Sequence, residues 1–450
     1  MTLNYDVEDK PRFGSLIVFA FQQLLAIIAA TIAVPMIVEQ ATGAPMSVSA
    51  ALIGAGLGTI VYLLFTKFRS PVFLGSSFAF LGSMASAFAG ATTATLGYLG
   101  LIIGAGLAGL VYVVIAIISK FVGTNWINKL MPAVVIGPTV AIIGLSLAGN
   151  AVGDMLTADA GGHQYLALIC GISTLLVTII VSIYGNKTLK SIPFVIGIGA
   201  GYVLALVLTL IGKFANVEVL RIISFEPFKN LLTDGNVTLN TFITVPEFTF
   251  LKAFGGFKDL SWAYVGTIVS AYVPVAFVVF AEHLADHKNL STIVEKDLTK
   301  DPGLHRTLLG DGVGSFVGAI FGGAPNTTYG ESIGCVAITG NASTITISVT
   351  AIIAIIVAFI SPFVAFLDSI PACVMGGVCV ALYGFISVSG LKMLQGVDLE
   401  DNDNLFTAST ILILGVGGLV ISFGSWTITK IACALILGIV VNVISRIKKK

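Results

Sequence analysis

The sequence predicts an all-α polytopic membrane protein: fourteen transmembrane segments in two inverted seven-segment repeats, with short extended stretches in segments 3 and 10. Three observations carry this. Of 450 residues, 56% are apolar and 10% charged, and the mean hydropathy of +1.01 lies far from that of a soluble domain. Apolar runs of about 20 residues, enough for a helix to cross roughly 30 Å of hydrocarbon, recur from Gly14 almost to the C-terminus. Two short strings also occur twice. A β-barrel is excluded, because its strands would be about 10 residues long and alternate in polarity, whereas Gly100–Ser119 and Ala351–Phe366 are apolar all round.

The polar stretch Met1–Arg12 carries three acids and lacks the basic leader and small-residue cleavage site of a signal peptide, so segment 1 (14–38) is expected to be retained as the first span. Segments 2 to 7 follow at 47–66, 71–89, 95–119, 131–149, 165–184 and 191–212. Residues 1–213 then form the first repeat, 214–261 an extracytoplasmic linker and 262–450 the second repeat. Its segments 8 to 14 are 262–287, 307–323, 326–339, 343–366, 371–391, 405–424 and 427–445.

Orientation follows from the basic residues. With both termini in the cytoplasm, 17 of the 23 Lys and Arg fall on the inner side, among them Lys10, Arg12, Lys67, Arg69, Lys187, Lys190, Lys288, Arg306, Lys392 and the closing Lys448–Lys450. Five of the other six lie in the long 213–260 stretch, which the charge rule discounts, and the last is Lys430. Near the outer end of segment 14, Lys430 can snorkel to the surface.

The repeated strings set the topology. Met131-Pro-Ala-Val-Val-Ile-Gly137 matches Ile370-Pro-Ala-Cys-Val-Met-Gly376, and Gly75-Ser-Ser-Phe-Ala-Phe80 resembles Asn326-Thr-Thr-Tyr-Gly-Glu331, at offsets of 239 and 251 residues. An odd-numbered repeat makes its two copies cross in opposite directions, the construction of secondary transporters. Segments 3 and 10 are also short and broken. Pro71–Phe80 and Gly322–Glu331 mix helix breakers, β-branched or aromatic residues and hydroxyls, so each should begin extended and turn helical afterwards. Non-helical backbone at membrane depth is tolerated where it is buried in protein or lines a cavity, and a matched pair of interruptions points to a binding site. The bland alternative is a pair of kinks packed in the interior.

Acids inside apolar segments cost about 2.5–3.5 kcal/mol each on insertion scales, so they are candidates for function. Glu282 ends the run Ala263–Ala281, Asp286 lies one helical turn on, and His283 and His287 sit beside them. Two carboxylates so close are expected to share a proton, making this a candidate proton-coupling site. The structural alternative is an inner helix end facing water, and for His283 a packing role. Glu331 stands in the broken segment 10 between Gly330 and the apolar Cys335–Ile338. Asp311 reads as the opening of segment 9, where an acid suits a helix N-terminus.

Several classes are excluded. The five cysteines lie in apolar runs without C-x-x-C spacing, so neither a disulfide nor a metal site is implied. Zero net charge argues against nucleic acid, no G-x-x-x-x-G-K-[ST] loop serves an ATP-driven pump, and an enzyme would lack a convincing nucleophile and base.

Ala281-Glu-His-Leu284, Lys296-Asp-Leu-Thr-Lys-Asp-Pro-Gly-Leu-His-Arg306 and Pro325-Asn-Thr-Thr-Tyr-Gly-Glu-Ser-Ile-Gly334 closely resemble the nucleobase-ascorbate transporter family (nucleobase:cation symporter 2) and, within it, the bacterial uracil permeases. The family signature in segment 10 reads here Glu331, Ser332, Ile333, Gly334, Cys335–Ile338, Thr339, Gly340, with Ser332 departing from the usual Asn. The resemblance implies a core (segments 1–4 and 8–11) and a gate (segments 5–7 and 12–14), short strands of segments 3 and 10 meeting at the site, and a homodimer. It places a uracil pocket on Ala30, Phe78, Glu282, Gly330 and Glu331, and proton coupling on Glu282 with Asp286 or His287. Permeases of this kind carry a histidine where Asp286 stands, so either Asp286 serves directly or His287 replaces it. The implied activity is import of uracil across the cytoplasmic membrane by proton symport, with sodium as the alternative ion and no cofactor. The rivals are a xanthine or purine carrier, expected to have Gln at position 331, and an anion exchanger or channel of similar fold.

Overall fold

The computed structural model describes residues 3–447 apart from 124–125, 127–128, 130, 233–235 and 424–425; Lys448–Lys450 of the charge argument lie outside them. Among the described residues, eight helices are long and apolar enough to cross a membrane. They include Phe13–Thr42, Val48–Phe65, Ala94–Val122, Trp262–Val294 and Ala372–Lys392. Large apolar side chains such as Phe121, Ile180, Val203 and Ile413 stand exposed on the outside, as expected for a chain whose solvent is lipid.

The two interrupted segments supply the centre. Leu74–Ser76 (β1) and Asn326–Thr328 (β2) pair antiparallel, with Leu74 opposite Thr328, Gly75 opposite Thr327 and Ser76 opposite Asn326. Each strand leads into a helical stretch: Phe78–Phe80 and Leu81–Ala89 after β1, Gly330–Thr339 after β2. The backbone groups the ladder leaves over are satisfied locally. Leu74 N donates to Thr59 Oγ1 at 2.9 Å, Ser77 N to Pro325 O at 2.9 Å and Tyr329 N to Phe73 O at 3.1 Å, so extended backbone persists without water. Tyr329 lays its ring over Gly75, where a β-carbon would stand 2.3 Å from it, and donates its hydroxyl to Ser76 O at 2.9 Å.

Glycines bring the flanking helices close behind this ladder. The segment 9 helix, Leu304–Gly322, packs on the segment 2 and segment 4 helices. A β-carbon on Gly58 would lie 2.7 Å from Gly314 O, and one on Gly109 2.7 Å from Gly312 O. Such backbone contact is how helices associate where no hydrophobic gain separates protein from lipid.

Four expectations need correction. Segment 8 continues to Val294, because Lys288–Ser291 remain helical where a boundary was expected. Segment 9 begins at Leu304, after the Pro302-Gly303 turn, so Asp311 lies mid-helix and does not cap an N-terminus. Segment 11 divides into Thr344–Val357 and Ser361–Asp368, the second opening with Pro362 in its first turn. Segment 13 ends as a helix at Val416, where Gly417 and the left-handed Gly418 break it, and a hairpin of Ile421–Phe423 (β3) and Trp426–Ile428 (β4) precedes the last helix.

Candidate functional site

A cavity of about 300 Å³ lies where the strand pair and its two helices face the segment 8 helix. Phe78, Glu282, Asp286, Gly330 and Glu331 line it, together with Val140, Phe194 and Phe385. The site acids therefore come from two elements. Glu282 and Asp286 project from one stripe of the Trp262–Val294 helix, one turn apart, and both are half-buried. Glu331 sits in the first turn of the Gly330–Thr339 helix, where free backbone N–H groups favour a carboxylate.

Polar groups without protein partners converge on the same space. Ser76 Oγ, Ser77 Oγ and Thr327 Oγ1 are buried with no hydrogen-bond partner among the described residues, and all three residues line the cavity. Buried hydroxyls are costly when unpaired, so this wall is prepared for a polar ligand. Phe78 adds a flat apolar surface whose ring meets Tyr383 edge-on, centroids 5.6 Å apart.

Asp286 is tied to the ladder, since Thr328 of β2 donates its hydroxyl to Asp286 Oδ2 at 2.7 Å. His287 is not in the cavity. Its Nδ1 donates to His283 O at 2.8 Å and its Nε2 meets the Tyr62 hydroxyl at 2.8 Å, on the far side of the helix. Consecutive residues on an α-helix are turned by about 100°, which sends Asp286 and His287 to different surroundings. Ala30 is fully buried and does not line the cavity; Ala26, one turn earlier, does.

Other polar anchors escaped the sequence reading. Gln23 donates its side-chain amide to Ser332 Oγ, and Phe73 N donates to the same oxygen at 3.0 Å. The serine that departs from the family signature thus joins segment 1, the approach to β1 and the Glu331 helix. The only sequence signal was the pair Gln22-Gln23 inside an apolar run. Asp311 and His283 are likewise buried and bonded to each other at 2.7 Å. Away from the membrane-spanning segments, Arg69 clasps Asp301 with contacts of 2.7 and 2.8 Å, which raises its guanidinium above the ordinary value.

A larger cavity of about 590 Å³ is lined by Glu39, Asp154, Asp159, Glu247 and Asp368 and holds none of the expected site residues. The smaller one has the broken backbone, the unpaired hydroxyls and the acids of segments 8 and 10, so the chemistry assigns the site there.

An acid-lined cavity at the meeting of two interrupted apolar segments, in a chain of many apolar helices, is the arrangement of a multi-pass membrane permease. The chain belongs to the nucleobase-ascorbate transporter family: the model of this permease family matches residues 14–422. It is 38% identical over 443 residues to the uracil permease of Bacillus caldolyticus, covering 98% of this chain and 94% of that protein. The uracil permease of Bacillus subtilis (strain 168) is 38% identical over 450 residues, covering 98% of this chain and 95% of that one. Among solved structures, the transmembrane domain of the cyanobacterium bicarbonate transporter BicA superposes with a TM-score of 0.58 at 14% identity, covering 98% of this chain and all of that one. That likeness is one of fold alone.

Proposed function

We propose that this permease imports uracil across the cytoplasmic membrane by proton symport, its core (segments 1–4 and 8–11) moving against its gate (segments 5–7 and 12–14). The observation that carries the proposal is the cavity where Glu282, Asp286 and Glu331 face three unpartnered hydroxyls and Phe78, in a chain whose near-full-length relatives are named uracil permeases. Uracil is flat and neutral and offers two N–H donors and two carbonyl acceptors. Glu331 accepts one N–H and Glu282 bonds the opposite edge, while backbone N–H groups near Phe78 and Gly330 meet the carbonyls. Phe78 covers a ring face. A site built on such bonds rejects analogues lacking them, because its own polar groups would be left unpaired.

What favours the inverted repeat is that the two strings matched at an offset of 251 residues are the ones that supply β1 and β2 and meet as a pair. The cavity's rim holds Lys190 and Asn289, on the side that the basic residues assign to the cytoplasm together with both termini. The 590 Å³ cavity then belongs to the outer approach.

Coupling follows if Glu282 holds a proton in the loaded carrier and releases it to the cytoplasm. Asp286, which shares the cavity, is the partner; His287, turned toward Tyr62, is not. A homodimer is the family expectation and is proposed as such. The test is uracil uptake into proteoliposomes under imposed pH or sodium gradients. Saturable uptake that follows the pH gradient, collapses with a protonophore and is poorly competed by xanthine is expected. Uptake that follows sodium alone, or that xanthine competes equally, would overturn the reading.

A further inference from the structure

On the other face of the segment 8 helix sits a pair of titratable side chains that the uptake reading does not use. His283 and Asp311 are both fully buried. His283 Nδ1 lies 2.7 Å from Asp311 Oδ2, and its Nε2 lies 3.0 Å from Thr307 Oγ1. The Thr307 hydroxyl has one hydrogen and two acceptors in reach, Leu304 O at 3.1 Å and His283 Nε2 at 3.0 Å, so the ring's tautomer follows from what Asp311 carries. Beside an ionised Asp311, a neutral His283 donates from Nδ1 and accepts at Nε2 from Thr307. Beside a protonated Asp311, the acid donates to Nδ1, the ring hydrogen sits on Nε2 and the Thr307 hydroxyl turns to Leu304 O. The second arrangement gives the pair one proton more than a neutral histidine beside a carboxylate, at zero net charge.

The surroundings agree with that count. Asp311 Oδ1 has no partner among the described residues, a state that suits the carbonyl oxygen of a carboxylic acid and not a bare carboxylate out of reach of water. The titratable groups around the pair are two tyrosines, two acids and a second histidine. Tyr62 and Tyr112 approach from segments 2 and 4, and His287 stacks on His283 with centroids 4.0 Å apart. Glu282 and Asp286 stand on the cavity side. His287 donates from Nδ1 to His283 O, and its Nε2 faces the Tyr62 hydroxyl at 2.8 Å, which itself reaches Ser70 Oγ at 2.7 Å.

We propose that His283 and Asp311 form a second proton-holding site, separate from the cavity, whose proton stays in place through the transport cycle and locks segment 8 to segment 9. Glu282, the residue before His283, is thereby held toward the cavity. Asp311 is in this sense a positioning residue, and the idea stands apart from the identity of the substrate.

The chain has four histidines, so ¹⁵N-histidine labelling of the purified protein in nanodiscs, with His283→Asn for assignment, reads the site directly. His283 Nε2 is expected to stay protonated, with neither ring nitrogen titrating across roughly pH 5 to 8, where an ordinary histidine changes charge. An unprotonated Nε2, or titration in that window, overturns the count. This arm contains no uracil, so it survives failure of the uptake reading. The second arm is uptake. In Asp311→Asn the side-chain amide can donate to Nδ1 in place of the acid, so activity should stay within about threefold of the parent with an unchanged pH profile. Asp311→Leu should lower uptake more than about tenfold. A flattened pH profile in Asp311→Asn would make the proton a transported one, and parent-like uptake in Asp311→Leu would remove the positioning role; either result overturns the proposal. If Asp311→Leu does not fold, the labelled parent protein and Asp311→Asn still decide.

Discussion

The two faces of the segment 8 helix differ in every respect except sequence neighbourhood. Glu282 and Asp286 look into a cavity with unpaired hydroxyls, whereas His283 and His287 are sealed among Asp311, Thr307 and Tyr62 with their bonds complete. One face is left unsatisfied until something binds. On the other, each histidine already has both ring nitrogens bonded, with Asp311 Oδ1 left over. Four titratable groups within six residues thus need not form one relay, because helical geometry divides them between a wet side and a dry side.

Substitution of the acids should separate the two faces most decisively. Glu331→Ala should abolish uracil binding in isothermal titration of the purified protein, and measurable heats would remove Glu331 from the site. Glu282→Gln should retain binding yet lose pH-gradient-driven accumulation by roughly 100-fold or more, the scale on which a proton-transferring group matters; a variant that still concentrates uracil sinks its role. Asp286→Asn should lower uptake by about tenfold and shift its pH dependence, while Thr328→Val, which only removes the hydroxyl bonded to Asp286, should change it by a few-fold in the same assay.

On the dry face the expected effect moves from transport to stability. His287→Ala removes two hydrogen bonds, to the Tyr62 hydroxyl and to His283 O, while Tyr62 keeps Ser70 Oγ at 2.7 Å, so thermal unfolding in detergent should register a loss of about 1–3 kcal/mol with the pH profile of uptake unchanged; a shifted profile would put His287 back in the relay. Smallest of all should be Asp6→Asn. It removes an ion pair with Lys296 at 2.7 Å whose side chains are 46% and 49% exposed, worth about 0.5 kcal/mol and screened further by salt.

Much of the fold was legible in the sequence because lipid imposes a plain code. Apolar length gave the helices, and the Gly, Pro and hydroxyl mixture of Pro71–Phe80 and Gly322–Glu331 gave the breaks that the structure pairs as β1 and β2. Glu282, Asp286 and Glu331 stood out because charge is rare at such depth. What stayed hidden was whatever depends on a distant partner. Ser332 bonds Phe73 N across 259 positions and Gln23 across 309, and nothing local in a serine announces either contact. Asp311 was misplaced for a nearer reason: with the helix started at 307 and not at Leu304 after the Pro302-Gly303 turn, it looked like an N-terminal acid. The β3–β4 hairpin was absorbed into the apolar run, since aromatic and β-branched residues serve strand and membrane helix alike.

The three-rung ladder of β1 and β2 has a consequence for which sequence changes the chain can survive. Side chains along a strand alternate with a period of two, so one inserted or deleted residue in Leu74–Ser76 or Asn326–Thr328 would turn the strand's remaining side chains to the opposite face and swing Phe78 or Glu331, which line the cavity, away on its helix. Substitution can retune this site by degrees. Length change cannot, and a library of single-codon insertions should find the two strands almost empty of survivors, while the exposed stretch around Val237–Leu239 fills with them.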